Sequence, residues 1–188
     1  MTLDELPAED DRAAVRRDHE TFALTDRDVL VAVAASGATP YTLDLAQSVP
    51  AAVIAVVTVA NSPLAQLADV AIEVVVGAEV LPGSTRLTAG TAQKVALNAL
   101  TTAAMARLGR VHGNLMIDVQ PANAKLRDRA AGIVAAIAGC EADVAAAALA
   151  ACGDSARAAV LHLVLDLEPA AARRRATEFP RLRDALNP

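Results

Sequence analysis

Two short hydroxyl-rich segments carry the clearest chemistry in this chain. "SGATP" sets Ser36, Gly37 and Thr39 between an apolar run and a helix start marked by Pro40. Hydroxyls and backbone N–H groups donate hydrogen bonds, and the positive end of a helix favours an anion, so such a loop suits a phosphate. It suits equally a tight turn in which Thr39 caps the helix and Pro40 fills its first turn. Further on, "GAEVLPGSTRLT" groups Ser84, Thr85 and Thr88 with Arg86 and the carboxylate Glu79. Ser84 or Thr85 would serve a helix as an N-cap. A second hydroxyl cluster at a second strand end points to a polyhydroxylated, phosphorylated ligand. Glu79 has two readings of equal weight: contact with the sugar or a neighbouring subunit, or a structural hydrogen bond to the "PGST" loop. There is no G-x-G-x-x-G and no Walker A pattern, which argues against dinucleotides and nucleoside triphosphates.

The elements that must position these residues follow from the apolar pattern. "VLVAVAA" is a near-continuous apolar run and reads as a parallel strand buried on both faces. A helix through about Ser48 follows. "AAVIAVVTVA" is a second strand, "LAQLAD" a short helix and "VAIEVVV" a third strand. From Ser84 to about Leu108 the spacing predicts one long helix. Strand and helix in alternation predict an α/β layered domain with a parallel sheet. From Gln120 onward the segments read only as helices, punctuated by Gly, Asp and Pro. The expected division is therefore 1–119 for the α/β domain and 120–188 for an all-helical subdomain.

Composition narrows the function classes. The chain has 188 residues, 54% of them hydrophobic but only 2% aromatic, so the core must be built from Ala, Val, Leu and Ile. A net charge of −5 argues against nucleic acid as a partner. The basic run Arg173, Arg174 and Arg175 reads as a solvated helix face. No apolar run reaches the ~20 residues a membrane span needs, and the acidic N-terminus does not read as a signal peptide. Cys140 and Cys152 make no disulfide framework, which fits a reducing cytoplasm. His19, His112 and His162 match no metal-ligand spacing, so no metal is expected.

Three blocks then carry a family resemblance: "AASGATPY", "GAEVLPGSTRLTAGTAQKVALNAL" and "GRVHGNLMIDVQPANAKL". Their order and spacing resemble the N-acetylmuramic acid 6-phosphate etherases of the sugar isomerase (SIS) domain superfamily, over nearly the whole chain. The resemblance implies a three-layer SIS-type parallel sheet flanked by helices, present in part, with a C-terminal all-helical tail. It implies a lyase that cleaves the D-lactyl ether of N-acetylmuramic acid 6-phosphate, giving N-acetylglucosamine 6-phosphate and D-lactate in cell-wall recycling. It also implies a cofactor-free, cytoplasmic homodimer. Elimination beside a sugar carbonyl needs a base, and loss of the ether oxygen needs an acid. In "ELPAEDD", Glu9 matches a catalytic glutamate of the family; read alone, it is an acidic helix start. Ser36, Gly37, Thr39, Ser84, Thr85 and Glu79 are expected around the sugar phosphate. In "ANAKL", Asn123 and Lys125 match a family block; Lys125 reads as an anion contact or an exposed helix-start lysine.

The chain also departs from the family. Ala38 stands where the family has Arg, and Thr88 where it has Lys. The family's Gly-rich "GAGTSGR" loop and its "SECPP"-type block, with a second catalytic glutamate, are absent. The sequence thus resembles a C-terminal half, and the isolated chain is expected to be weakly active or inactive. The alternative is a non-catalytic, sugar-phosphate-binding regulatory SIS protein. An aldose–ketose isomerase fits the blocks less well.

Overall fold

The computed structural model describes residues 11–187, so Glu9 lies outside the described residues. The chain divides into two compact units, Met1–Leu100 and Thr101–Pro188.

In the first unit, α1 (Arg12–Phe22) begins at Asp11, whose carboxylate accepts from the Ala14 N–H. Three parallel strands follow: β1 (Val29–Val33), β2 (Ala52–Val57) and β3 (Val70–Glu73). They pair in chain order, with Val31 opposite Ile54 and Ile54 opposite Val70. The crossovers are α2 (Pro40–Ser48) and α3 (Pro63–Leu67), each opened by a proline in its first turn. Successive strand side chains point to opposite faces. One face puts Ala32, Ala34, Val53, Ala55 and Val57 in a core with Ala46 of α2 and Leu64 of α3. This is the mixed α/β architecture expected: a parallel sheet flanked by helices.

Three local expectations change. β1 is not buried on both faces: Val29, Val31 and Val33 are 56%, 37% and 38% exposed. β3 stops at Glu73, because the register pairs Glu73 with Val57, where β2 itself ends. The long helix, α4 (Thr88–Arg107), starts four residues later than Ser84. Residues 84–87 turn instead, with the Ser84 and Leu87 N–H groups bonded to the carbonyls of Leu81 and Ser84.

The second unit holds the rest of α4, a two-stranded hairpin of β4 (Val111–His112) and β5 (Leu115–Met116), and five helices. These are α5 (Ala124–Ala138), α6 (Ala142–Ala151), α7 (Ala156–Leu165), α8 (Pro169–Glu178) and α9 (Leu182–Ala185). Asn123 and Ser155 cap α5 and α7 through their side-chain oxygens. Lys125 lies in the first turn of α5. Small residues let the helices approach closely: Ala130, Ala145, Ala148, Ala158, Ala159 and Ala172 are buried with Val134, Leu161 and Ile117. Among the described residues no single helix is long and apolar enough to cross a membrane.

This core encloses one charged hub. Arg157 is 8% exposed and donates to the carbonyls of Gly109, Phe179 and Pro180 and to both oxygens of Asp118. Asp118 also pairs with Arg110. The basic run is only partly a solvated face. Arg175 turns inward, donating to the Ala185 carbonyl and lying 5.2 Å over the Phe179 ring.

Candidate functional site

The carboxyl end of β1 opens into a cleft of about 1260 Å³ in the first unit. Open α/β sheets place their ligands at such strand ends. Ser36 and Thr39 line the cleft from the loop after β1; Ser84, Thr85 and Arg86 line it from the turn before α4. The two hydroxyl clusters, 48 residues apart when counted from Ser36 to Ser84, thus face one space.

The first loop is held rigidly. The Ala35 carbonyl accepts from both the N–H and the hydroxyl of buried Thr58, at 3.0 and 2.9 Å. The Ser36 hydroxyl accepts from the Ala38 N–H at 3.2 Å. Gly37 is not in the cleft wall. Its φ is +62°, and a Cβ placed on it would stand 2.2 Å from Ser62 Oγ. That close approach lets the Gly37 carbonyl accept from the Leu64 N–H at 2.9 Å, tying the loop to α3.

The helix starts differ in what they offer an anion. Thr39 occupies the N-cap position of α2, but its hydroxyl makes no cap hydrogen bond. Among the described residues no side chain caps α2, and Tyr41 and Thr42 of its first turn, where helix amides lack an internal partner, both stand in the cleft wall. At α4 the arrangement is reversed. Glu79 Oε2 and Oε1 accept from the N–H groups of Thr88 and Ala89 at 3.0 and 2.8 Å. Those bonds, the Ala89 one foremost, hold the Glu79 carboxyl below its usual range. The positive end of α4 thus already carries an anion, whereas among the described residues no side chain caps that of α2.

Several lining residues escape a reading of the sequence. Asp11, Ala14, Arg17 and Asp18 bring the inner face of α1 to the cleft, with Tyr41 of α2 and Gln93 of α4. The Tyr41 hydroxyl donates to Asp18 Oδ2 at 2.8 Å, and this bond to a carboxylate raises the phenol's pKa. Arg17 opposes that rise, so its positive charge is felt at Tyr41. The spacing Asp11, Ala14, Asp18 is the i, i+3, i+7 stripe of one helix face, a signal that was available. Tyr41 is the only tyrosine of the chain.

A second cleft, in the helical unit, is about 970 Å³. Its buried cation is Arg157, already committed to Asp118 and three carbonyls. The cleft at the strand ends is therefore the candidate site.

The family model for the SIS domain matches residues 12–103, the stretch that holds the three-stranded sheet and nearly all of the cleft wall. Along most of its length, the chain's sequence matches the C-terminal half of N-acetylmuramic acid 6-phosphate etherases. It is 50% identical over 163 residues to the N-acetylmuramic acid 6-phosphate etherase of Deinococcus radiodurans, covering 85% of this chain and 53% of that protein. It is 44% identical over 183 residues to the one of Aliivibrio salmonicida (95% of this chain, 61% of that protein). With the one of Rubrobacter xylanophilus it shares 46% over 171 residues (89% and 57%). The chain thus spans somewhat over half the length of the curated relatives it matches.

Proposed function

We propose that this chain forms the sugar-phosphate-binding part of an N-acetylmuramic acid 6-phosphate etherase, a carbon–oxygen lyase. The observation that carries the reading is the convergence of Ser36, Thr39, Ser84, Thr85 and Arg86 on one cleft at the open N-terminus of α2. Four hydroxyls, free amides and a guanidinium are the donors a phosphate dianion takes. The relatives' names supply the substrate: N-acetylmuramic acid 6-phosphate. Gly37 and Glu79 serve this site at one remove, Gly37 by holding the Ser36 loop and Glu79 by holding the turn that carries Ser84 and Thr85.

The reaction is elimination followed by hydration. In the open-chain sugar, the proton on the carbon beside the aldehyde is acidified by the carbonyl. A base removes it, the lactyl oxygen on the next carbon leaves with a proton from an acid, and water then adds to the double bond. Glu9 is our candidate for this acid/base work. It precedes α1, whose inner face lines the cleft. We place the protein in the cytoplasm, supported by two free cysteines. We propose that it forms a homodimer, supported by the exposed valines of β1.

The test is a pair of measurements on the purified chain. Calorimetric titration is expected to show binding of N-acetylglucosamine 6-phosphate and none of N-acetylglucosamine. Assay of D-lactate from N-acetylmuramic acid 6-phosphate is expected to show weak release that Glu9→Gln abolishes while binding persists. Equal affinity for the unphosphorylated sugar would overturn the phosphate site. Lactate release that is unaffected by Glu9→Gln would remove Glu9 from the mechanism.

A further inference from the structure

The charges of the cleft are unequally committed. Its carboxylates are engaged inside the protein: Asp11 with the Ala14 N–H, Asp18 with the Tyr41 hydroxyl. Its two guanidiniums, Arg17 and Arg86, have no carboxylate partner among the described residues. They also stand in different company. Arg86 follows Ser84 and Thr85 directly, within the hydroxyl-rich turn. Arg17 stands on α1, where its charge is felt at Tyr41, whose hydroxyl already donates a hydrogen bond to Asp18. A cleft with two uncommitted cations in two settings fits a ligand with two anionic groups. The hydroxyl-rich end suits a phosphate dianion. The solitary fork of Arg17 suits a carboxylate, which a guanidinium grips with two parallel hydrogen bonds.

We propose that Arg17 is a specificity-determining residue that binds the carboxylate of the ligand's lactyl ether, while Arg86 with the hydroxyls binds its phosphate. This rests on the sugar-phosphate reading above and adds to it the means by which the site tells a muramic from a glucosamine phosphate. The Tyr41–Asp18 bond is a positioning contact in this arrangement. It ties α1 to α2 and keeps the neighbouring carboxylate from pairing with Arg17.

Two probes that differ only in the lactyl group test this: the sugar alcohols made by reducing N-acetylmuramic acid 6-phosphate and N-acetylglucosamine 6-phosphate. Neither has a carbonyl, so neither can undergo elimination during a titration. The parent chain should bind the lactyl probe about tenfold more tightly, the range of one charge-assisted contact. Arg17→Gln should abolish that preference while leaving affinity for the other probe within about twofold. Arg17→Lys should keep part of it, and Arg86→Gln should weaken both probes alike. Arg17 is exposed and Gln is a good helix former, so an unchanged helical circular dichroism spectrum checks that α1 persists. If Arg17→Gln weakens both probes equally, or neither, the assignment is wrong. If the parent chain binds neither probe, the sugar-phosphate reading itself fails, an outcome distinct from loss of the preference alone.

Discussion

Gly37 shows how much of the candidate site depends on a residue that does not line it. Any side chain there meets both an unfavourable left-handed backbone and the Ser62 hydroxyl at 2.2 Å. Gly37→Ala should therefore lower the stability of the first unit by about 3 kcal/mol, combining the αL penalty with overpacking. Chemical denaturation monitors this, and a change under about 1 kcal/mol would mean the loop relaxes easily. The residues themselves were unevenly legible. Ser36, Thr39, Ser84 and Thr85 stand out in the sequence because hydroxyl clusters beside glycine and proline interrupt apolar runs. Arg17, Asp18 and Tyr41 do not. A charged helix reads as a solvated surface, and only the packing of α1 against α2 turns one of its faces to the cleft. Gly37 was legible as a loop glycine, but its reason, contact with Ser62, is a tertiary one.

At the scale of elements, the start of α4 depends on Glu79. The helix begins where this carboxylate meets the Thr88 and Ala89 amides, which is why the sequence-based start at Ser84 was too early. Folding lowers the pKa of Glu79, so its contribution is fully present above the ordinary carboxylate value near 4.5 and is lost as pH falls through the lowered value. Glu79→Gln should reduce the thermal midpoint at neutral pH and bring the variant and parent curves together in acid. Parallel thermal melts at several pH values check this; a gap that persists unchanged in acid would rule out the charged cap. Strand ends were misjudged for a related reason. "VAIEVVV" is apolar throughout, but a strand lasts only as long as its partner, and β2 ends at Val57.

The helical unit supplies a third expectation. Its helices were legible from alanine-rich periodicity, but its charged hub was not, because the acid nearest Arg157 in sequence is Asp154, whereas its partner Asp118 lies 39 residues away. Removing the guanidinium would leave Asp118 with Arg110 alone and strip the Gly109, Phe179 and Pro180 carbonyls of this donor. Arg157→Ala should cost about 3–5 kcal/mol in the second unit. Hydrogen exchange of the α7 amides would report the loss, and unchanged protection would show the hub to be dispensable.

At the scale of the whole molecule, β1 presents Val29, Val31 and Val33 and, among the described residues, an edge with no strand paired to it. Parallel strands are ordinarily covered on both faces, and open edges recruit partners. The proposed homodimer predicts that sedimentation equilibrium will show concentration-dependent association, and that Val31→Glu with Val33→Glu will shift the chain to monomer. A parent chain that is monomeric at high concentration would remove this face as a dimer contact. The alternation of strand and helix segments foretold the α/β class, and composition the aromatic-poor core; neither could foretell exposed valines, because an apolar run looks the same whether or not its second face is covered.

A sugar 6-phosphate bound at the strand-end cleft would leave its mark on the amides that line it. Amide chemical shifts, followed while N-acetylglucosamine 6-phosphate is added, test this most directly. The largest shifts are expected at Tyr41, Thr42, Ser84, Thr85 and Arg86, with residues 153–157 of the second cleft unmoved. Shifts concentrated at 153–157, or none at the first group at saturating ligand, would contradict binding there.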